Sequence, residues 1–163
     1  MPRPNDVGVG VCVALLNADR RVLLLKRKGA HAEGLWALPG GWIERKDTNP
    51  LDTVRREALE EVGVSVTDAD FAGFTSVDHK DIGVRCITLY YVSYPHQWHG
   101  VPTIKEPSKA SEMSWEVVED LLGWNDEDPH MDESTLFPNL LQGLTQILNL
   151  DSYGETFDDF GLR

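Results

Sequence analysis

The sequence predicts an α+β domain, a layered fold in which helices flank a mixed sheet. Two observations carry this. Strand-like runs occur at 7–16, 21–28, 71–78 and 84–94, the last two rich in β-branched and aromatic residues, and two helical stretches, at 50–62 and in the 136–148 region, are separated by strands. The length of 163 residues and a hydrophobic share of 41% suit one domain with a real core. It is placed at residues 1–150, with 151–163 as an acidic tail.

VGVGVCVALL (7–16) alternates valine with glycine or cysteine and then turns fully apolar, as a strand entering a core does. NADR supplies a turn, and RVLLLKRK (21–28) reads as the returning strand of a hairpin. The Gly- and Pro-containing stretch 29–47 is a loop with a short apolar piece at 35–38, and LPGG excludes a regular helix. Asn49 is placed to cap a helix, Pro50 suits its first position, and no breaker follows until Gly63. FAGFTSVD and VRCITLYYVSY are strands joined by a turn at HKDIG. Residues 95–111 read as an irregular loop, and MSWEVVEDLL as a strand turning into a helix. GWNDEDPHMDES is an acidic loop. The last helix is read from Leu136, Leu140, Leu141, Leu144, Ile147 and Leu148, with Pro138 in its first turn.

Charge narrows the partners. A net charge of -12, with no basic block longer than Lys26-Arg27-Lys28, argues against nucleic acid and against an anionic membrane surface. A phosphorylated small molecule stays open, provided bound cations offset the repulsion. Cys12 and Cys86 lie in apolar runs and read as reduced, buried thiols. MPRPNDVGVG lacks a signal-peptide pattern and no apolar run approaches about 18 residues, so a cytoplasmic protein is expected.

RREALEEVG (55–63) crowds Glu57, Glu60 and Glu61 together. At about 100° per residue, Glu61 lies about 40° and Glu60 about -60° from Glu57. All three share one third of the helix surface, beside an apolar edge of Leu51, Ala58 and Val62. Like charges at i,i+4 are mildly destabilising, and the helix C-terminus disfavours anions. Taken alone, such a run is an ordinary solvated face. Hard divalent cations prefer carboxylate oxygens gathered in this way.

The upstream residues decide between these readings. GGWIERKDTNPLDTVRREALEEVGV (40–64) resembles the Nudix box, a Gly, five residues, a Glu, seven residues and then R-E-U-x-E-E-x-G-U, where U is bulky and apolar. Gly41 begins the match, and Arg56 to Val64 close it. Asp47 stands where that family has its first glutamate, one extra residue (most naturally Asn49) precedes Arg56, and Ala58 is smaller than usual. GLWALPGG, the two N-terminal strands, SEMSWEVVEDLL and LFPNLL extend the resemblance over most of 7–150.

The resemblance implies a Nudix fold, an α/β/α sandwich with a mixed β-sheet. It implies Arg56 tying down Asp47, and Mg²⁺ (or Mn²⁺) held by Glu57, Glu60, Glu61 and a carbonyl at Gly40-Gly41. Glu112 is the candidate further ligand, with Glu106 behind it. The implied reaction is hydrolysis of a nucleoside diphosphate linked to another moiety, with Glu57 or Glu60 as the base. Similarity to MutT-type enzymes favours a nucleoside or deoxynucleoside triphosphate, giving monophosphate and pyrophosphate. ADP-ribose, another nucleotide sugar or a dinucleotide is the alternative substrate, and an inactive nucleotide-binding module the alternative of another class. Lys26 and Arg27 are either phosphate contacts or a solvated strand end. Trp36, Trp42, Phe74 and Tyr90 are core residues or base-stacking candidates, and Trp36 is the one taken forward. His31, His79, His96 and His99 read as residents of solvated loops, with His79 alone of these placed to border a pocket. A homodimer is compatible with all of this.

Overall fold

The computed structural model describes residue 3 and residues 6–29, 31–123 and 131–159, with only the backbone described from 151 onward. Among the described residues, nine strands and three α-helices follow in order, with a 3-10 turn at Glu133–Thr135 before the last: β1 (Val7–Leu15), β2 (Arg21–Arg27), β3 (Trp36–Ala37), β4 (Gly40–Trp42), α1 (Pro50–Val62), β5 (Ser65–Val66), β6 (Asp70–His79), β7 (Val84–Ser93), β8 (Trp98–His99), β9 (Ala110–Val117), α2 (Val118–Leu121) and α3 (Leu140–Asp159).

The strands form a four-stranded sheet in the order β4-β1-β7-β6, a three-stranded sheet β3-β2-β9 and a small β5-β8 pair. β1 runs parallel to β7 and antiparallel to β4, so the sheet is mixed. The expected β1–β2 hairpin is corrected. Asn17 Oδ1 does accept from the Asp19 and Arg21 N–H groups to make the turn, yet only a single bridge, Leu16 to Val22, joins the two arms. Each strand is instead central in its own sheet, as their apolar faces demand: a strand buried on both sides needs neighbours on both edges.

Alternation along these strands builds two cores. Val11, Val13 and Leu15 of β1 with Leu23 and Leu25 of β2 pack against Val54, Ala58 and Val62 of α1. Ala14, Leu16, Val22 and Leu24 point the other way, to Leu140, Leu144 and Ile147 of α3. Helix, strands and helix therefore stack as the expected α/β/α sandwich, because period-two side chains serve both faces at once.

Three further readings change. The 95–111 stretch contains β8 and the first residues of β9. The last helix begins at Leu140, after Pro138, because Leu136 is drawn into a bridge with Trp36. Helix α3 continues to Asp159, so the backbone of 151–159 is helical. In the acidic 123–134 loop, residues 124–130 lie outside the described residues.

Candidate active site

Helix α1 has fixed ends. The Asn49 side chain accepts from the Asp52 N–H at 3.1 Å, and Gly63 takes a left-handed φ of 71° as it donates to Leu59 O. Burial of Val54, Ala58 and Val62 then sets the rotation of the helix. That rotation brings Glu57 and Glu61, one turn apart, onto the two glycines of β4. Glu61 Oε2 accepts from the Gly40 N–H at 2.9 Å, and a Cβ on Gly41 would overlap the Glu57 carboxylate. On the other side of the strand, a Cβ on Gly40 would overlap the Val11 carbonyl. Only glycines fit between the helix and β1 here. Gly41 stands in register with Val11 and contributes space for Glu57.

Arg56 gathers the loop and the helix. Its Nε and Nη2 hold Asp47 at 3.2 and 2.9 Å, Nη2 also donates to Trp42 O at 3.0 Å, and Nη1 meets Glu57 at 2.6 Å and Glu60 at 3.4 Å. Asp47 further accepts from the Thr53 hydroxyl at 2.8 Å. Aspartate in place of glutamate thus still reaches the arginine. The guanidinium holds the Asp47 carboxyl well below the usual carboxylate range and raises the proton affinity of Arg56 itself.

The helix carboxylates are shifted the other way. Burial raises Glu57, against the pull of Arg56. Burial also pushes Glu61 up to about 8, opposed by the Gly40 N–H and reinforced by Glu57. Glu60 is exposed. Two carboxyls raised by burial and by neighbouring glutamates, Glu60 beside Glu57 and Glu57 beside Glu61, are stabilised by a cation beside them. Among the described residues, no three carboxylate, imidazole or thiol groups converge into a cage for an ion. Arg56 and the Gly40 N–H occupy the Glu57 and Glu61 oxygens instead. The donor set itself, carboxylate oxygens with a neighbouring strand carbonyl, fits a hard divalent cation.

The remaining candidates separate. Lys26 and Glu112 face each other across β2 and β9 and pair at 2.9 Å, with Lys26 Nζ 5.7 Å from the Trp36 ring centre. These three engage one another rather than the helix. Glu106, the reserve candidate, lies in the electrostatic field of Glu61 and pairs with Lys109 at 2.9 Å. Its loop is docked on the end of α1, Lys105 N donating to Glu61 O at 2.8 Å and Thr103 N to Val62 O at 3.0 Å.

Beside Gly40 and Gly41 opens a cavity of about 170 Å³, to which Arg27, Trp42, His79 and Phe137 contribute. His79 borders it as expected. His31 does so too, which corrects its placement in a solvated loop: its Nδ1 lies 2.6 Å from Asp81 Oδ2 and its ring meets His79 and Phe137 edge-on. Trp36 and Phe74 do not line the cavity, and Tyr90 is a core residue whose hydroxyl meets Thr75 and Asn139 O. Phe137 and Cys12 were missed, because neither sits in a pattern that marks a ligand; strand alternation puts Cys12 only on the side away from α1.

The profile described as NUDIX domain matches residues 6–137. RNA pyrophosphohydrolase of Halorhodospira halophila is 42% identical over 73 residues, which are 45% of this chain and 35% of that protein. ADP-ribose pyrophosphatase of Methanocaldococcus jannaschii is 31% identical over 78 residues, 48% of this chain and 46% of that one. The matched stretch spans less than half the length of both curated relatives. The MutT NUDIX hydrolase from Burkholderia pseudomallei superposes with a TM-score of 0.69 at 25% identity, over 86% of this chain and 98% of that one. A match that runs from residue 6 to residue 137, through the glutamate helix and the strands on both sides of it, shows that the chain belongs to the NUDIX domain family.

Proposed function

We propose that this protein is a Nudix-type pyrophosphohydrolase that uses Mg²⁺ or Mn²⁺ to convert a nucleoside or deoxynucleoside triphosphate and water to the monophosphate and pyrophosphate. The observation that carries this reading is the pair of raised carboxyls, Glu57 and Glu61, lying against Gly40 and Gly41 at the edge of a cavity. Glu57, Glu60 and Glu61 would hold the cation, with a carbonyl of the Gly40-Gly41 pair. When bound, the cation neutralises the diphosphate and acidifies a water for in-line attack on phosphorus.

The chain supplies the rest. Arg56 fixes the Asp47 loop against the helix and keeps Glu57 in place. Glu57 or Glu60 takes the proton, and the two differ in setting: Glu57 is 6% exposed and bound by Arg56, whereas Glu60 is open to solvent. The cavity receives the base, and its walls exclude water from one face of the substrate.

Hydrolysis of ADP-ribose is the second reading, supported by the similarity to the M. jannaschii ADP-ribose pyrophosphatase. A binding module without turnover is disfavoured by the presence of all three helix glutamates. One experiment orders the three: incubation with Mg²⁺ and a panel of nucleoside triphosphates, ADP-ribose, dinucleotides and a 5′-triphosphorylated oligoribonucleotide, with products resolved by chromatography. Monophosphate and pyrophosphate from a triphosphate support the proposal. Turnover of ADP-ribose alone selects the second reading, and tight binding without any turnover selects the third.

A further inference from the structure

The cavity beside Gly40 and Gly41 carries one permanent cation and no permanent anion among its described lining residues. Its single permanently charged group is Arg27, and among the described residues no Asp, Glu, Asn or Gln side chain lines it. Arg27 has no carboxylate partner among the described residues either. Its guanidinium carbon lies 5.2 Å from the Phe137 ring centre, and its Nε is buried without a hydrogen-bond partner. A buried donor left unpaired costs stability, so such a group is expected to serve a ligand that supplies the acceptor. Of the other polar groups, His31 Nδ1 is committed to Asp81 at 2.6 Å and the Thr88 hydroxyl to Cys86 Sγ at 3.4 Å, which leaves the His79 imidazole and the Trp42 indole beside Arg27.

The volume decides what can enter. A space of about 170 Å³ is too small for a whole nucleotide and suits one ring system. Phe137, with His31 edge-on and His79 tilted against it, gives that ring an aromatic wall. Arginine offers five N–H donors and no acceptor, so it pairs with a ring carbonyl (together with N7 in a 6-oxopurine, through the carbonyl alone in a 4-oxopyrimidine) and meets an exocyclic amino group donor to donor.

We propose that this cavity selects nucleotides whose base carries a ring carbonyl where adenine or cytosine carries an amino group, and that Arg27 is the residue that reads it. The proposal rests on the hydrolase reading above and names the substrate class within it. The shared chemistry is the oxo edge, which both 6-oxopurines and 4-oxopyrimidines present.

The test compares near-isosteric pairs. Mg²⁺-dependent kcat/KM is measured for inosine against adenosine triphosphate and for uridine against cytidine triphosphate. Binding of the four corresponding monophosphates is measured separately by calorimetry without metal. The oxo member of at least one pair is expected to win by about tenfold to a hundredfold, and the pair that shows it identifies purine or pyrimidine. In Arg27→Ala the ratio falls to near one. Arg27→Lys, which retains charge and stem but loses the planar fork, lowers the ratio as well and covers the case in which the alanine variant does not fold. Equal or reversed preference in both pairs overturns the proposal. So does a preference that survives both substitutions while all rates fall together, which would make Arg27 a phosphate contact. The two readings fail separately: turnover without base discrimination removes the selection and leaves the hydrolase, whereas discriminating binding without turnover removes the hydrolase and leaves the selection. Absence of both turnover and binding overturns both.

Discussion

Arg56 holds Asp47 through two nitrogens, at 3.2 and 2.9 Å, and the two side chains keep only 12% and 4% of their surface in water. The pair pins the loop after β4 to the first half of α1, and it forms although aspartate is a methylene shorter than the glutamate of the family pattern. Removing the acid leaves a buried guanidinium short of its main partner, which costs roughly 3 kcal/mol. Asp47→Ala is expected to lower the urea midpoint accordingly. The same pair sets an acid limb. Because the folded carboxyl titrates below its unfolded value, its stabilisation is complete above about pH 4 and is lost as pH falls below that. Asp47→Asn should flatten that limb in unfolding curves taken between pH 2 and 6, whereas an unchanged limb would assign it to other carboxylates.

The two glycines of β4 are expected to fail differently. A Cβ on Gly40 meets the Val11 backbone, which cannot move without opening the β1–β4 ladder, so Gly40→Ala should lower stability by about 1–3 kcal/mol. A Cβ on Gly41 meets the end of a flexible glutamate, so Gly41→Ala should keep most of its stability and lose turnover by at least about tenfold. Thermal melts and kcat measured together separate the two; equal melts for both variants would contradict the packing described.

Glu61→Gln should leave the fold intact and abolish Mg²⁺-dependent turnover, with a loss of about a hundredfold or more in kcat. It should also remove the rise in melting temperature that Mg²⁺ gives the unaltered protein. Glu106 and Glu112 form a matched comparison. Glu106 acts on Glu61 through space, while Glu112 is taken up by Lys26. Glu106→Gln should therefore raise the Mg²⁺ concentration needed for half-maximal rate severalfold, and Glu112→Gln should leave it within about twofold.

Asn49 is the residue that lengthens the box, and it is also the cap of α1, accepting from the Asp52 N–H at 3.1 Å. Asn49→Ala should cost about 1 kcal/mol, a fall of about 2–4 °C in Tm, with Asn49→Ser close to the parent. Scanning calorimetry of the three proteins checks this.

What the sequence made legible was short-range. The bounds of α1, its caps and the clustering of Glu57, Glu60 and Glu61 follow from propensity and the 3.6 period, and the structure has them within a residue. The neighbour of Glu112 is not legible from sequence, because strand pairing decides it and the register that sets it opposite Lys26 is not written locally. The cavity is harder still. Cys12, Arg27, His79 and Phe137 come from four separate parts of the chain; the position of His79 between two strands and of Arg27 at a strand end marked them, whereas no spacing marks Cys12 or Phe137. The divergence of β1 and β2 into separate sheets is the same kind of fact: both strands look alike locally, and only their long-range partners differ.

The parallel register of β1 with β7 also bears on how the molecule assembles in time. Val7 pairs with Arg85 and Leu15 with Ser93, so as the chain emerges from a ribosome β1 waits for nearly the first hundred residues to be made. Until then β4 offers it only three residues of ladder. Such a long closure slows folding and leaves an apolar strand available to wrong partners. Gly8 and Gly10 weaken β1 as a free-standing strand, which postpones its pairing until α1 and β7 can cover it together. The glutamate helix can thus form early from its own caps, while β1, the strand that carries the β4 glycines against its carboxylates, is among the last pieces to settle.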